Sequence, residues 1–199
     1  MNADYNIFRR LFRWLRRFRK RQGYGVHSPY AFDFITGVIY NSEAYYAYDA
    51  LRRALPYSLS RLDEYDPVSG LSAKDLRLLF RLANFQEARV LHLRGASAAV
   101  QSHLLAARPH AVVVDAAVAG EPADLLFTDL AASPAPPFSP LSEGGMHILR
   151  GIHRSKAAEA FWEQCRSHHS ATLSFDLWRF GILLNRPKLV PSSYVVNYL

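Results

Sequence analysis

Three carboxylates stand where a sheet would present them to a ligand. Asp115, Asp129 and Asp176 each lie at or just beyond the end of a short apolar run: Ala111 to Asp115 (AVVVD), Asp124 to Thr128 (DLLFT) and Ala171 to Asp176. In an open parallel sheet, ligands bind beyond the carboxyl ends of the strands, and an acid after the second strand can accept both hydroxyls of a ribose. Asp is also a common residue of strand-terminating turns, so each acid alone says little. The turn after the first apolar run reads Leu93-Arg94-Gly95-Ala96-Ser97-Ala98-Ala99. A cofactor loop there would use several glycines, so that backbone approaches the ligand closely. Only Gly95 is present, and the alanines carry Cβ atoms that fill part of that space. No Ser–His–Asp order, Walker loop or metal-ligand spacing stands out, and one cysteine with eight scattered histidines excludes a zinc finger. Cys165 falls in mid-helix and reads as an inert core residue.

These residues need a scaffold of strands and helices in alternation. Arg89 to Leu93 (RVLHL) reads as a short buried strand, followed by a helix from Ser97 to Ala107 and a second strand at Ala111 to Asp115. Asp124 to Thr128 and Met146 to Leu149 give a third and a fourth strand. A proline-rich loop over 131–145 separates them. A helix from about Lys156 to His168 follows, N-capped by Ser155, and the chain closes with strands at Ala171 to Asp176, Ile182 to Asn185 and Tyr194 to Tyr198. Ser72 with Asp75 resembles a capping box that opens another helix through Leu82. Ser28 and Pro29 suit the start of a helix running to about Tyr40, and a further helix is expected from Ser42 to Leu55. Strands alternating with helices predict an α/β protein with a parallel sheet covered on both faces. Residues 61–70 are polar and turn-rich, a linker between a helical arm (1–60) and the sheet domain (71–199).

The length, 199 residues, suits one domain with an arm, and the net charge is +7. Eight cations and Asp4 lie in residues 1–25, so this segment carries the whole net charge; the remaining 16 cations and 16 anions cancel. A nucleic-acid-binding surface spread over the body is therefore not expected, which leaves local patches open. Ile7, Phe8, Leu11, Phe12, Leu15 and Phe18 share one face of an expected helix from Tyr5 to Arg21, and the arginines take the other. Its apolar stripe packs on the body, or the helix lies on an anionic membrane surface or grips phosphates. An Arg-rich start also suits a transit peptide, but no Ser or Thr precedes Ser28. No apolar run approaches the roughly 20 residues of a membrane span. A single Cys rules out an intrachain disulfide and fits a reducing compartment, so a cytoplasmic location is expected, membrane-peripheral if the basic helix lies on lipid.

Gly25 to Phe34 (GVHSPYAFDF) resembles the N-terminal signature of a bacterial group of class I S-adenosylmethionine-dependent methyltransferases, which begin with a basic helix. The likeness continues at LRLLFRLANFQEARVLHLRGAS, at ADLLFTD, at GIHRSKAAEAFWEQC and at ATLSFDLWRFGILLNRP, and so covers most of the chain. The chain also departs from that pattern. The acid that ends the family's first strand is His92 here, and the loop glycines fall at Arg94 or Gly95 and near Ala98. Two family aspartates are replaced by Arg150 and Gly151. Only Ala116 to Ala123 separate Asp115 from Asp124, where the family has helix, strand and helix. A crossover needs at least about 10–12 residues, so a reduced Rossmann-like sheet without the usual third strand is expected.

The resemblance implies S-adenosylmethionine as cofactor, touched by Gly95, Ser97, Asp115 and Asp129. It puts His27, His153 and Asp176 on the side of a small-molecule substrate. Arg94 would set a cation beside the cofactor's sulfonium, or reach its carboxylate. Lost glycines narrow the loop. A degenerate methyltransferase with weak or lost cofactor binding is therefore expected ahead of an active small-molecule methyltransferase. A membrane or nucleic-acid adaptor acting through the basic helix is the third expectation.

Overall fold

The computed structural model describes residues 23, 25–54, 70–115, 124–132, 136 and 141–198. The basic helix expected over 5–21, most of the 61–70 linker, the 116–123 connection and much of the proline-rich loop lie outside these residues, as does the side chain of Asp115.

Seven strands form one mixed sheet: β1 (Val90–Arg94), β2 (Val112–Asp115), β3 (Leu125–Asp129), β4 (Met146–Arg150), β5 (Leu173–Asp176), β6 (Phe180–Leu184) and β7 (Ser192–Val195). Their order is β2-β1-β3-β4-β6-β5-β7. β2, β1, β3 and β4 run parallel, β6 is antiparallel to both β4 and β5, and β7 is parallel to β5. The carboxyl ends of β1 to β5 therefore share one edge of the sheet; the α/β, Rossmann-like architecture agrees with the alternation of elements, but the sheet expected to be parallel is mixed, because β6 follows β5 by a short hairpin with no crossover helix.

Period-two alternation decides which face each side chain meets. Leu91, Leu93, Leu125, Phe127, Met146, Ile148, Phe175 and Ile182 enter the larger core. There they meet α1 (Pro29–Phe34), α2 (Ala47–Ala54), α3 (Ala73–Gln86) and α4 (Ala98–Ala107). Leu149 and Leu183 point the other way, into a smaller core with Phe161, Trp162 and Cys165 of α5 (Lys156–Ser167). Trp162 lies so close over β6 that a Cβ at Gly181 would come within 2.5 Å of its ring. Burial pushes the Cys165 thiol up to about 12, so it stays protonated and inert.

The helix starts follow their caps. Ser28 Oγ accepts from the amide of Ala31, Pro29 holds the first turn, and Ser97 and Ser155 cap α4 and α5 in the same way. At α3 the box is reciprocal: Ser72 Oγ accepts from Asp75 N at 3.2 Å, and Asp75 Oδ2 accepts from Ser72 N at 3.0 Å. The helix expected over 29–40 changes winding on the way. After Phe34 it becomes a π-turn over Ile35–Ile39, closed by Tyr40 N donating to Ile35 O at 2.9 Å.

The face that carries the smaller core also holds polar side chains. His92 on β1 lies beside Val114 and Leu126, is 5 % exposed, and its Nε2 has no hydrogen-bond partner. A buried polar atom without a partner costs stability. His92→Leu is expected to raise the unfolding free energy by about 1 kcal/mol. Urea denaturation near neutral pH measures this, and a lowered midpoint would show that the imidazole makes a bond worth keeping.

Candidate active site at the carboxyl edge

The sheet brings four of the expected site residues to one edge. Gly95 follows β1, Asp129 ends β3, Asp176 ends β5, and His153 lies in the turn after β4. The backbone of Asp115 ends β2 on the same edge. Ser97 stands beside it as the N-cap of α4, its hydroxyl accepting from Val100 N at 3.4 Å.

His27 is not brought there. It is exposed, just ahead of the Ser28 cap. Three residues on, the Tyr30 hydroxyl accepts from Arg186 Nε at 2.9 Å. Arg186 follows β6, which runs against the parallel strands, and also donates to Gln86 Oε1 at 3.0 Å at the C-terminal end of α3. That clasp lies on the amino edge of the parallel strands, so His27 starts from the far side of the sheet.

At the carboxyl edge the chemistry is dominated by pairs within the protein. β3 and β4 run in register, so Asp129 and Arg150 are neighbours. Arg150 Nη1 donates to Asp129 Oδ2 at 2.5 Å, with side chains only 13 % and 11 % exposed. The other oxygen, Oδ1, accepts from Ala131 N at 2.8 Å. Gly95 adopts φ +69°, and a Cβ there would meet Ala132 Cβ at 3.0 Å and Asp129 Cβ at 3.3 Å. The glycine is thus required by the loop after β3, which packs directly on the loop after β1.

Asp176 is equally engaged. Its Oδ1 accepts from Trp178 N at 2.8 Å, and its Oδ2 meets His153 Nε2 at 2.9 Å. His153 Nδ1 meets Glu159 Oε1 at 3.3 Å, and the imidazole stacks on Trp178 at 4.5 Å between ring centroids. Trp178 is held at φ +74°, in a left-handed turn that bulky residues rarely adopt. A His–Asp pair can serve as a base with its orienting acid, but a base needs a ring nitrogen facing a substrate proton. Here one nitrogen faces Asp176 and the other Glu159. The pair pins the turn after β4 to the β5–β6 hairpin.

No family model matches the chain, and no curated protein matches it. The site must therefore be read from its own geometry. Among the described residues no cluster of three His, Cys, Asp or Glu side chains could hold a metal ion, and no helix is long and apolar enough to cross a membrane.

Arg150, Trp178 and Arg179 are the edge residues that sequence reasoning did not nominate. Arg179 Nη1 donates to Asp75 Oδ2 at 2.6 Å, tying the hairpin to the start of α3. Arg150 had a usable signal: DLLFTD and MHILR each close on a charged residue, and in-register parallel pairing sets those two side by side. Trp178 had none, because a positive φ at a tryptophan depends on the packing around it.

Proposed function

We propose that the chain is a methyltransferase-like Rossmann protein that has lost S-adenosylmethionine binding and works as a binding or interaction module. The state of Asp129 carries this reading. The resemblance gives Asp129 to the cofactor, yet one of its oxygens is held by Arg150 and the other by the Ala131 amide. The room left by the absent Gly95 side chain is likewise used by Asp129 and Ala132 rather than by a ligand. Two further features suit a reduced member of that group. The chain closes with the strand pair β5–β6, an antiparallel hairpin, and β2 is the outer strand beyond β1 in the described sheet. Fold alone does not carry an activity, so a retained sheet is compatible with lost catalysis.

Calorimetric titration with S-adenosylmethionine and S-adenosylhomocysteine is the direct test. No saturable heat is expected for either up to about 1 mM, whereas a dissociation constant near about 10 μM would overturn the reading and return the edge to an active transferase.

A further inference from the structure

β2 is the outermost strand on its side of the described sheet. Val112 N donates to Arg89 O, and from there the ladder to β1 engages the backbone groups of Val112 and Val114. Backbone groups alternate in direction along a strand, so the N–H and C=O of Val113 point away from β1. Neither has a hydrogen-bond partner among the described residues. The side chains alternate as well. Val113 shares a face with Leu91 and the larger core, and Val112 lies on the opposite face. They are 42 % and 60 % exposed, so this edge is apolar on both faces of the sheet.

Natural sheets guard such an edge with a charge, a proline or a bulge. Ala111 to Val114 carries no charge and no proline, and Val112 to Val114 keep unbroken register with β1. The outer strand on the other side, β7, is guarded: it opens on Ser192 and Ser193, directly after Pro191. The segment that follows β2 is too short to cover it. Residues 116–123 span roughly 26 Å when extended, enough to return to the opposite end of β3 but not to pair along β2 on the way.

We propose that a second copy of the chain covers this edge, β2 pairing with β2 about a two-fold axis at Val113. An axis across the strands makes the pair antiparallel and self-complementary. The two Val113 residues exchange both N–H···O bonds, and Val112 of each copy stands opposite Val114 of the other. Charge agrees with this sense of pairing. It brings the Arg108 and His110 end of one strand to the Asp115 end of the other, whereas parallel pairing sets like ends together. Because the outward edge of β2 is not the strand-end edge, pairing is expected with or without S-adenosylmethionine binding. A four-residue ladder is a small interface, so the expected dissociation constant is about 10–100 μM.

Sedimentation velocity of the full chain, from about 1 to 300 μM, tests this. The mass is expected to rise with concentration from the 22.6 kDa of one chain and to level at twice that value. Val113→Pro removes the outward N–H, which the ladder to β1 does not use, and edge strands tolerate a proline so placed. Val112→Lys sets a charge at the junction and keeps every backbone group. Each is expected to weaken the dimer by about tenfold or more. Val190→Lys, at a valine 81 % exposed in the loop before β7, leaves it unchanged. Circular dichroism and the urea midpoint of each variant check the fold, and Val112→Lys alone decides if Val113→Pro does not fold. Loss of the dimer in a folded variant, with Val190→Lys still dimeric, supports the pairing. A monomer over the whole range overturns it, as does a dimer that the folded variants keep at full strength. Growth beyond the dimer also overturns it, because pairing of β2 with another edge does not close.

Discussion

Below pH 6.5 the protein is expected to lose stability by about 1.4 kcal/mol for each pH unit through one histidine, His147. His147 sits in the middle of β4, flanked in register by Leu126 on β3 and Leu183 on β6, and is 2 % exposed. Its Nε2 is 2.9 Å from Thr128 Oγ1, itself fully buried. Burial, and secondarily the Arg94 cation, lower its pKa from the usual 6.5 to about 3. The folded protein thus holds the ring neutral, while the unfolded chain binds a proton as soon as the pH falls through 6.5. Between that point and about 3 the unfolded state carries one extra proton, so stability is complete above 6.5 and drains away as pH falls. From pH 6.5 to 5 the loss should be about 2 kcal/mol, a large share of the 5–15 kcal/mol typical of a domain. Urea denaturation of the natural chain and of the Thr128→Val/His147→Leu variant across that range gives the difference. The variant removes both partners together, so no polar group is stranded. Parallel pH profiles for the two proteins would mean that His147 is protonated in the fold.

That histidine shows what the sequence could and could not disclose. Its place in an apolar strand was readable from MHIL, as a neighbouring buried strand was from DLLFT. The helix starts at Ser28, Ser72, Ser97 and Ser155 were readable because a cap is a local event, settled within four residues. Elements that depend on distant partners were less legible. The helix expected from Ser42 begins at Ala47, because Asn41 bonds locally instead: its Oδ1 accepts from Glu43 N at 2.7 Å, and its Nδ2 donates to Gly37 O at 3.1 Å. The aromatic rings of Tyr45 and Tyr48 then pack on Phe80. The strands run one residue past their expected ends at Arg94, Asp129 and Arg150, since parallel ladders continue wherever the neighbour also continues. At the site, a common edge for Gly95, Asp129, His153 and Asp176 followed from the parallel-sheet rule. That the two acids would be consumed by Arg150 and His153 depends on register and on turn geometry, neither of which a single sequence contains.

Breaking the Asp129–Arg150 pair from one side is expected to be costly, and breaking it from both sides cheap. Arg150→Met leaves the Asp129 carboxylate mostly buried beside Gly95 with one amide donor, and stranding a buried charge typically costs about 3–5 kcal/mol. The residual exposure of the pair, 13 % and 11 %, places the expected value near the lower end, about 3 kcal/mol. Asp129→Asn keeps an oxygen for the Ala131 amide and removes the charge. In the Asp129→Asn/Arg150→Met double variant the cost should therefore return to about 1 kcal/mol, a coupling of about 2 kcal/mol plus the cost of Asp129→Asn alone in a double-mutant cycle. Chemical denaturation of the four proteins at one pH and salt concentration measures it. The size of the coupling also speaks to function. Two charges that interact this strongly are shielded from water, and a coupling of that size would support the proposal that Asp129 serves the fold rather than a cofactor. A coupling near zero, as solvated surface pairs give, would instead mean that the edge is open and that Asp129 is free to exchange Arg150 for a ligand.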